Sequence, residues 1–201
     1  MQIYFTVKVS IKEYIEKGRA YPFPEPPLRR CHNHKCSKIV QYKKHGFYER
    51  HLITAFFKDK ISIRRCICPL CGYTISYLPD FCLPRFIHTL KDIFTYMYKT
   101  LCSKETLKAC LEKLNDRGDL SISRQLIYHY KKRLMDNIQL IQMGLRQINS
   151  GITLPEYKLP KIKRVKMLLG LIKNELGGFH SFSRNFHEKT NKTILTLCKL
   201  L

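Results

Sequence analysis

Long apolar runs are absent from the sequence, and acidic residues are few. No stretch approaches the roughly 20 apolar residues of a membrane-spanning helix, so no membrane partner is expected. Residues 1–10 have no basic start, no long apolar core and no small-residue cleavage site, which argues against a secretory signal. The sequence therefore predicts a cytoplasmic protein whose cysteines stay reduced.

The shortage of acidic residues makes the chain strongly basic. It contains 37 lysines and arginines against 15 aspartates and glutamates, which gives a formal net charge of +22. The excess is spread along the chain and is not gathered into a tail, which favours a binding surface on folded segments. A charge of this size predicts a polyanionic partner and no small-molecule substrate.

Residues 1–30 are predicted to form an N-terminal segment that ends in a linker. Alternating apolar residues over 2–9 predict a short strand, and helical spacing follows over 11–18. Residues 21–27 contain four prolines, which exclude regular helix and a central strand. We interpret this run as an extended linker, with a proline-rich ligand for a partner domain as the alternative.

The nine cysteines favour metal ligation over disulfides, because an odd number cannot pair completely within one chain. In the motif Cys68-Pro-Leu-Cys71, two thiolates three positions apart suit one Zn²⁺, and Gly72 lets the backbone fold under the metal. Cys31 and Cys36 supply the other half with a wider gap. Four thiolates fill a tetrahedron and leave no open position for water, so a structural zinc site is predicted.

Other residues near these motifs are alternative ligands or have ordinary roles. One cysteine ligand has three possible replacements: Cys66, His32 and His34. The remaining cysteines lie on apolar stripes or loops and are interpreted as small hydrophobic residues: Cys82, Cys102, Cys110 and Cys198. Between the cysteine pairs, β-rich runs at 46–48, 51–54 and 61–63 predict a hairpin, with a turn at 58–60.

Helical spacing begins at Leu90, and residues 103–134 fit a helix-turn-helix unit around Gly118. The second helix is predicted to start near Ser121 or Ser123 and to run on through Leu145. The N-terminal residues of such a helix enter the major groove, and its basic end meets phosphates. The candidate nucleic-acid contacts are Ser123, Arg124, Gln125, Tyr128, Lys131, Lys132 and Arg133. An ordinary capped helix with cations at its C-terminus has the same pattern.

Residues 151–201 are predicted to be a basic linker followed by C-terminal helices. The basic run 161–166 is assigned to a loop, and a helix is expected over 165–176, where Gly177 and Gly178 end it. Residues 194–201 have the pattern of another short apolar helix.

Several motifs together resemble the zinc-ribbon N-terminal region of bacterial insertion-sequence transposases. They are the cysteine pair of Cys31 and Cys36, His45-Gly-Phe-Tyr-Glu-Arg50, Cys68-Pro-Leu-Cys71-Gly-Tyr-Thr74 and Leu78-Pro-Asp-Phe81. The pattern is most similar to a family of short transposase-like proteins, over residues 21–90 and more loosely to about 150. The resemblance implies a zinc-bound DNA-binding module in a protein from a mobile element, with the four cysteines as ligands.

Transposases of this kind also carry an RNase H-like domain with three metal-binding carboxylates. Acidic residues downstream of Phe81 are few, and residues 151–201 are too short for that domain. The resemblance therefore implies that this chain binds DNA, but it does not imply strand transfer.

The sequence as a whole predicts an α+β fold, in which a small β-hairpin zinc ribbon at 31–89 precedes a helical region at 90–150. The predicted function is non-catalytic, zinc-dependent binding of double-stranded DNA in the cytoplasm, at the nucleoid. A transposase or a second copy of the chain is a further candidate partner. One alternative is an RNA-binding zinc ribbon that stacks bases on Phe47, Tyr48, Phe56 and Phe57. The other is a truncated transposase or nuclease, which would need a carboxylate cluster.

Overall fold

The structure of the protein is a computed structural model, which describes residues 1–116, 122–175 and 178–196. The chain divides into two compact units, Met1–Ile53 with Lys58–Ile87, and Thr54–Phe57 with His88–Leu201. The α+β class is confirmed, because strands fill the first unit and helices the second. The main division falls between residues 87 and 88, two residues from the predicted boundary. The predicted divisions after residues 30 and 150 lie inside the compact units.

The first unit is built on a mixed four-stranded sheet and a separate two-stranded ribbon. Its elements are β1 (Gln2–Phe5), α1 (Ile11–Lys17), a 3-10 turn (Gly18–Ala20), β2 (Leu28–Arg30), β3 (Ile39–Gln41), β4 (Lys43–Ile53), β5 (Lys58–Ile67) and β6 (Thr74–Pro79). The sheet order is β1-β6-β5-β4, with β1 parallel to β6 and the other pairs antiparallel. Strands β2 and β3 pair antiparallel with each other.

The hairpin between β4 and β5 turns at residues 54–57, so the predicted turn at 58–60 is wrong. The Thr54 hydroxyl accepts hydrogen bonds from the backbone N–H groups of Phe56 and Phe57, at 3.1 and 3.0 Å. The Thr54 N–H also donates to the Phe57 carbonyl at 2.9 Å. Because the threonine side chain closes the turn here, the polar residues 58–60 continue into β5.

An aromatic cluster fills the core of the first unit and includes the proline-rich segment. The Phe5 ring centroid lies 6.0 Å from that of Tyr21, 5.8 Å from that of Phe23 and 6.1 Å from that of Tyr77. The Tyr77 hydroxyl donates to the Glu25 carbonyl at 2.7 Å, which fixes the segment's backbone. The segment has no regular secondary structure, as its prolines predict, but both of its aromatic residues are buried, so it is part of the core of the first unit.

The second unit is helical. Its described helices are α2 (Leu90–Cys102), α3 (Leu107–Asn115), α4 (Arg124–Asp136), α5 (Ile138–Ile148), α6 (Lys161–Glu175) and α7 (Gly178–Thr190). Hydroxyl side chains of Thr89, Thr106 and Ser123 cap α2, α3 and α4 by accepting a backbone N–H three residues on. Helix α2 packs against both α3 and α4. The predicted turn at Gly118 lies outside the described residues.

The predicted long second helix is two helices, α4 and α5, separated at Asn137. The backbone of Asn137 leaves helical geometry, with φ −101° and ψ 11°. Its buried side-chain amide donates to the carbonyls of Ile194 and Thr196, at 2.8 and 2.7 Å. These bonds hold residues 194–196 in a non-helical turn, contrary to the predicted C-terminal helix there, and the rest of that prediction lies outside the described residues.

Two further assignments in the C-terminal region were wrong. The basic run 161–166 is the first part of α6 and not a loop. Gly178 begins α7 instead of ending a helix, and α7 was not predicted. Its buried Phe182 and Phe186 lie four residues apart on one face, so the apolar stripe that marks a helix was present but short. No described helix has the length and apolar character needed to cross a membrane.

Candidate metal centre

Two hairpin ends of the first unit bring the four predicted cysteines together. Cys31 follows β2 directly, and Cys36 lies in the same connection before β3. Cys68 follows β5 directly, and Cys71 lies in the short connection before β6. Their sulfur atoms all lie within 4.8 Å of one another, and those of Cys31 and Cys71 are 3.5 Å apart.

This spacing fits a single tetrahedral metal ion. Zinc–sulfur bonds of about 2.3 Å place the sulfurs of a tetrahedral site about 3.8 Å from each other. Among the described residues, the alternative ligands Cys66, His32 and His34 are not part of the group. The donor set is four thiols, which suits a thiophilic ion and leaves no open coordination position.

The two connections have similar backbone geometry, although their cysteine spacings differ. In the first, the N–H groups of Cys36 and Ser37 both donate to the Asn33 carbonyl at 2.9 Å. In the second, the Gly72 N–H donates to the Cys68 carbonyl at 3.0 Å. The residue after each second cysteine has a positive φ, +46° for Ser37 and +72° for Gly72. Each chain segment therefore folds under its two sulfurs, as the glycine had indicated for the second pair.

Hydrogen bonds and burial shift the pKa values of the free thiols in opposite directions. Burial raises the pKa of Cys31, but hydrogen bonds from the Asn33 backbone, the Tyr42 hydroxyl and the neighbouring thiols outweigh it and lower the pKa to about 7. The Tyr73 N–H lowers the pKa of Cys71, but desolvation and the adjacent Cys31 and Cys68 raise it to about 11. The lowered pKa of Cys31 favours the thiolate form of this residue, which is the form that binds a cation.

Tyr42 is a supporting residue that sequence reasoning missed. Its side chain is buried, and its hydroxyl interacts with the Cys31 thiol and lowers the pKa of that thiol, although the contact does not have normal hydrogen-bond geometry. The same burial raises its pKa, so the hydroxyl stays protonated. A metal-bound thiolate at Cys31 would accept a hydrogen bond from this hydroxyl. Residues next to metal ligands commonly support them in this way. The only sequence signal was an aromatic residue directly after the strand that follows Cys36.

The motif residues His45, Tyr48 and Arg50 now have structural descriptions. The Arg50 guanidinium donates to the main-chain carbonyls of Leu83 and Phe86, which ties the β4–β5 hairpin to the segment after β6. Tyr48 packs against the core, and His45 is exposed beside a β-bulge. None of the three lies in the thiol group.

The predicted nucleic-acid contacts are mostly exposed on α4. Ser123 is the N-cap, and its hydroxyl accepts the Leu126 N–H at 3.1 Å. The exposed set is Ser123, Arg124, Gln125, Tyr128 and Lys132, whereas Lys131 and Arg133 are half-buried. The opposite face, with Ile127, Tyr130 and Leu134, is buried. Lys132 also pairs with Asp136 at 3.2 Å on the same helix.

The four aromatic residues proposed for base stacking do not share one environment. Phe47 packs on Phe23 with ring centroids 5.5 Å apart, and the Arg64 guanidinium lies 5.0 Å above its ring. Tyr48 and Phe57 are half-buried. Phe56 is 70% exposed at the turn of the hairpin. Core packing therefore occupies Phe47, and Phe56 is the member of the set with a free face.

Comparisons with known proteins add no relative: no family model, no curated protein and no solved structure matches the chain.

Proposed function

We propose that Cys31, Cys36, Cys68 and Cys71 bind one structural Zn²⁺ as a zinc ribbon. The proposal rests on the four sulfurs within 4.8 Å at the ends of two hairpins. Zinc is favoured because tetrahedral thiolate sites are typical of it, and because no open position remains for catalysis. An iron–sulfur assignment is less favoured, because the observed 3.5 Å sulfur–sulfur distance suits a single ion.

We further propose that the protein is a zinc-dependent, non-catalytic DNA-binding protein related to the N-terminal regions of transposases. The observation that carries this proposal is a four-thiol group in a chain with a net charge of +22. Duplex DNA is the polyanion that such a charge suits, because each neutralised phosphate releases a counterion. In this proposal the metal orders the hairpins, and lysines and arginines supply the affinity.

Helix α4 is the proposed sequence-reading element. Arg124 and Gln125 are exposed in its first turn, where recognition helices contact bases, and their side chains suit guanine and adenine. Lys131, Lys132 and Arg133 lie near its end and suit phosphates. The buried Ile127, Tyr130 and Leu134 support the exposed face from beneath, which keeps the helix in one orientation.

The test combines metal analysis with duplex binding across a salt series. Zinc-loaded and chelated protein are compared on the same duplex, with single-stranded RNA of matched length as a second ligand. One zinc per chain, with salt-dependent duplex binding that chelation abolishes, is the expected result. Zinc-loaded protein that leaves duplex DNA unbound would contradict the proposal.

RNA binding is the second candidate, and exposed Phe56 is the observation that favours it. An aromatic side chain with a free face can stack an unpaired base, worth about 1–3 kcal/mol per base. Tighter binding of single-stranded RNA than of duplex DNA, weakened by Phe56→Ala, would select this candidate. Phe57→Ala is the matched comparison, because that neighbouring phenylalanine is half-buried.

A further inference from the structure

A surface pocket in the second unit is lined by residues that sequence reasoning did not single out. Its volume is about 390 Å³, and its walls are Gln139, Gln142, Met143, Arg146 and Gln147, all on α5. Their spacing of three and four positions places them on one helix face. Three amides and one guanidinium offer several N–H donors, and no carboxylate lines the pocket. This lining suits an anion.

Two hydrogen bonds fix the orientation of Gln142 in this wall. Its Nε2 donates to the Pro155 carbonyl at 3.0 Å, and its Oε1 accepts from Nη2 of Arg164 at 2.8 Å. The assignment of amide oxygen and nitrogen is settled by these partners, since a guanidinium only donates. One N–H of the Gln142 amide is left for a further acceptor.

Arg164 is a buried cation without a counter-ion among the described residues. It is 5% exposed, its guanidinium lies 5.0 Å above the Tyr157 ring, and its Nε has no hydrogen-bond partner there. Within the same ranges no carboxylate forms an ion pair with it. Buried charges are normally paired, because removing an unpaired charge from water is costly. Through its hydrogen bond to Gln142, Arg164 places a positive charge next to a residue that lines the pocket, which favours an anion there.

We propose that the α5 pocket, supported by Arg164 through Gln142, binds a phosphate group of the DNA backbone. Arg146 donates charge-assisted hydrogen bonds to the phosphate oxygens, and the glutamine amides donate neutral hydrogen bonds to them. The inference rests on the proposed DNA binding and adds a backbone-contacting site that does not involve α4.

The first experiment compares Arg146→Ala with Arg184→Ala in the full zinc-loaded chain, by duplex binding across a salt series. Each variant removes one exposed arginine charge from the second unit, and the Arg184 guanidinium already pairs with Glu188 at 3.0 Å. Arg146→Ala is expected to reduce the slope of log K against log salt by about 0.9, equally on duplexes of unrelated sequence. Arg184→Ala is expected to leave the slope unchanged. Equal slopes in the two variants would overturn the proposal.

The second experiment separates the pocket from the proposed function by using inorganic pyrophosphate. Side-chain amide NMR signals of Gln139 and Gln142 are followed in wild type and in Arg146→Ala. If pyrophosphate shifts these signals in wild type but not in Arg146→Ala, and duplex DNA competes with the pyrophosphate, the result supports binding of a backbone phosphate. The same shifts in a protein that binds no duplex support a phosphate site for a free phosphate compound and reject the proposed function. If neither pyrophosphate nor duplex DNA shifts these signals, the pocket proposal is overturned. If Arg146→Ala changes the salt slope for RNA but not for duplex DNA, the assignment of the pocket to DNA is overturned.

Discussion

Replacing Cys71 with serine should remove the metal without disturbing the aromatic core of the first unit. Cys71 is the exposed member of the four thiols, so its substitution removes little packing. The core lies instead around Phe5, Tyr14, Tyr21, Phe23 and Tyr77. We therefore expect local loss of order at the two cysteine connections, while the four-stranded sheet stays folded.

The size of the effect follows from the energetics of structural zinc. Such sites bind with about 10–16 kcal/mol, and a variant that loses the ion loses this whole contribution to the order of the two cysteine connections. One tenfold change corresponds to about 1.4 kcal/mol, so hydrogen exchange in these connections should accelerate by more than about 100-fold. The β2–β3 ribbon is especially dependent on metal, because it has three residue pairs and exposes both Leu28 and Ile39.

Hydrogen exchange and zinc content together provide the assay. The reporting amides are those of Cys31, Cys68 and Gly72, which donate to Lys38, Tyr73 and Cys68 carbonyls. Amides of the β4–β5 pairing, such as those around Tyr48 and Ile63, should keep their protection.

Cys66→Ser is the matched control for this assay. Its sulfur is buried but lies outside the metal group, so the variant should retain one zinc. Full zinc content and unchanged exchange in Cys71→Ser would refute the reasoning. Loss of zinc in Cys66→Ser as well would show that the effect comes from general unfolding.

Three further predictions concern other parts of the protein. Tyr42→Phe should lower zinc affinity by about 10–100-fold with the fold retained, because the variant lacks the buried hydroxyl that donates to the Cys31 thiolate. Competition with a chelator measures the zinc affinity, and an unchanged affinity contradicts this prediction. Arg124→Ala should cost about 1–3 kcal/mol of discrimination between duplexes, whereas Lys132→Ala should weaken all duplexes alike and lower the salt slope by about 0.9; identical behaviour of the two variants would remove the assignment of α4. Burial lowers the pKa of His88 to about 4 in the folded protein. As the pH falls from about 6.5 towards 4, this histidine is therefore protonated in the unfolded chain before it is protonated in the folded one. The free energy of unfolding should decrease over this range by up to about 3 kcal/mol. Denaturant unfolding of wild type and His88→Phe over this range tests it, and an equal pH dependence in both would contradict it.

Local spacing was sufficient to predict several elements and the group of four thiols. The motif Cys68-Pro-Leu-Cys71-Gly72 specifies a tight turn through residues that are adjacent in the chain, and the four sulfurs do come together. The capped start of α4 at Ser123 follows from a hydroxyl three residues before a free N–H. Helix α2 was equally clear, because its apolar stripe covers several turns.

Elements set by side-chain hydrogen bonds, or marked only by a weak apolar stripe, were not predicted. Thr54 closes the hairpin turn with its side chain, a competition that strand propensity does not reveal. The amide of Asn137 donates to carbonyls 57 and 59 residues away, where the helical pattern is interrupted. Helix α7 is as long as α2, but the buried phenylalanines Phe182 and Phe186 are too few to make a long periodic signal.

The sequence by itself determined which four cysteines form the thiol group, the positive charge, the α+β class and the exposed face of α4, because these follow from composition or from residues a few positions apart. Tertiary structure decided that Tyr21 and Phe23 belong to a core, that Tyr42 lies beside Cys31, and that Arg164 supports Gln142. The physical reason is that burial and hydrogen bonding between separate segments depend on the three-dimensional path of the whole chain. Periodicity and spacing report only on neighbours, so they cannot show which buried group remains without a partner.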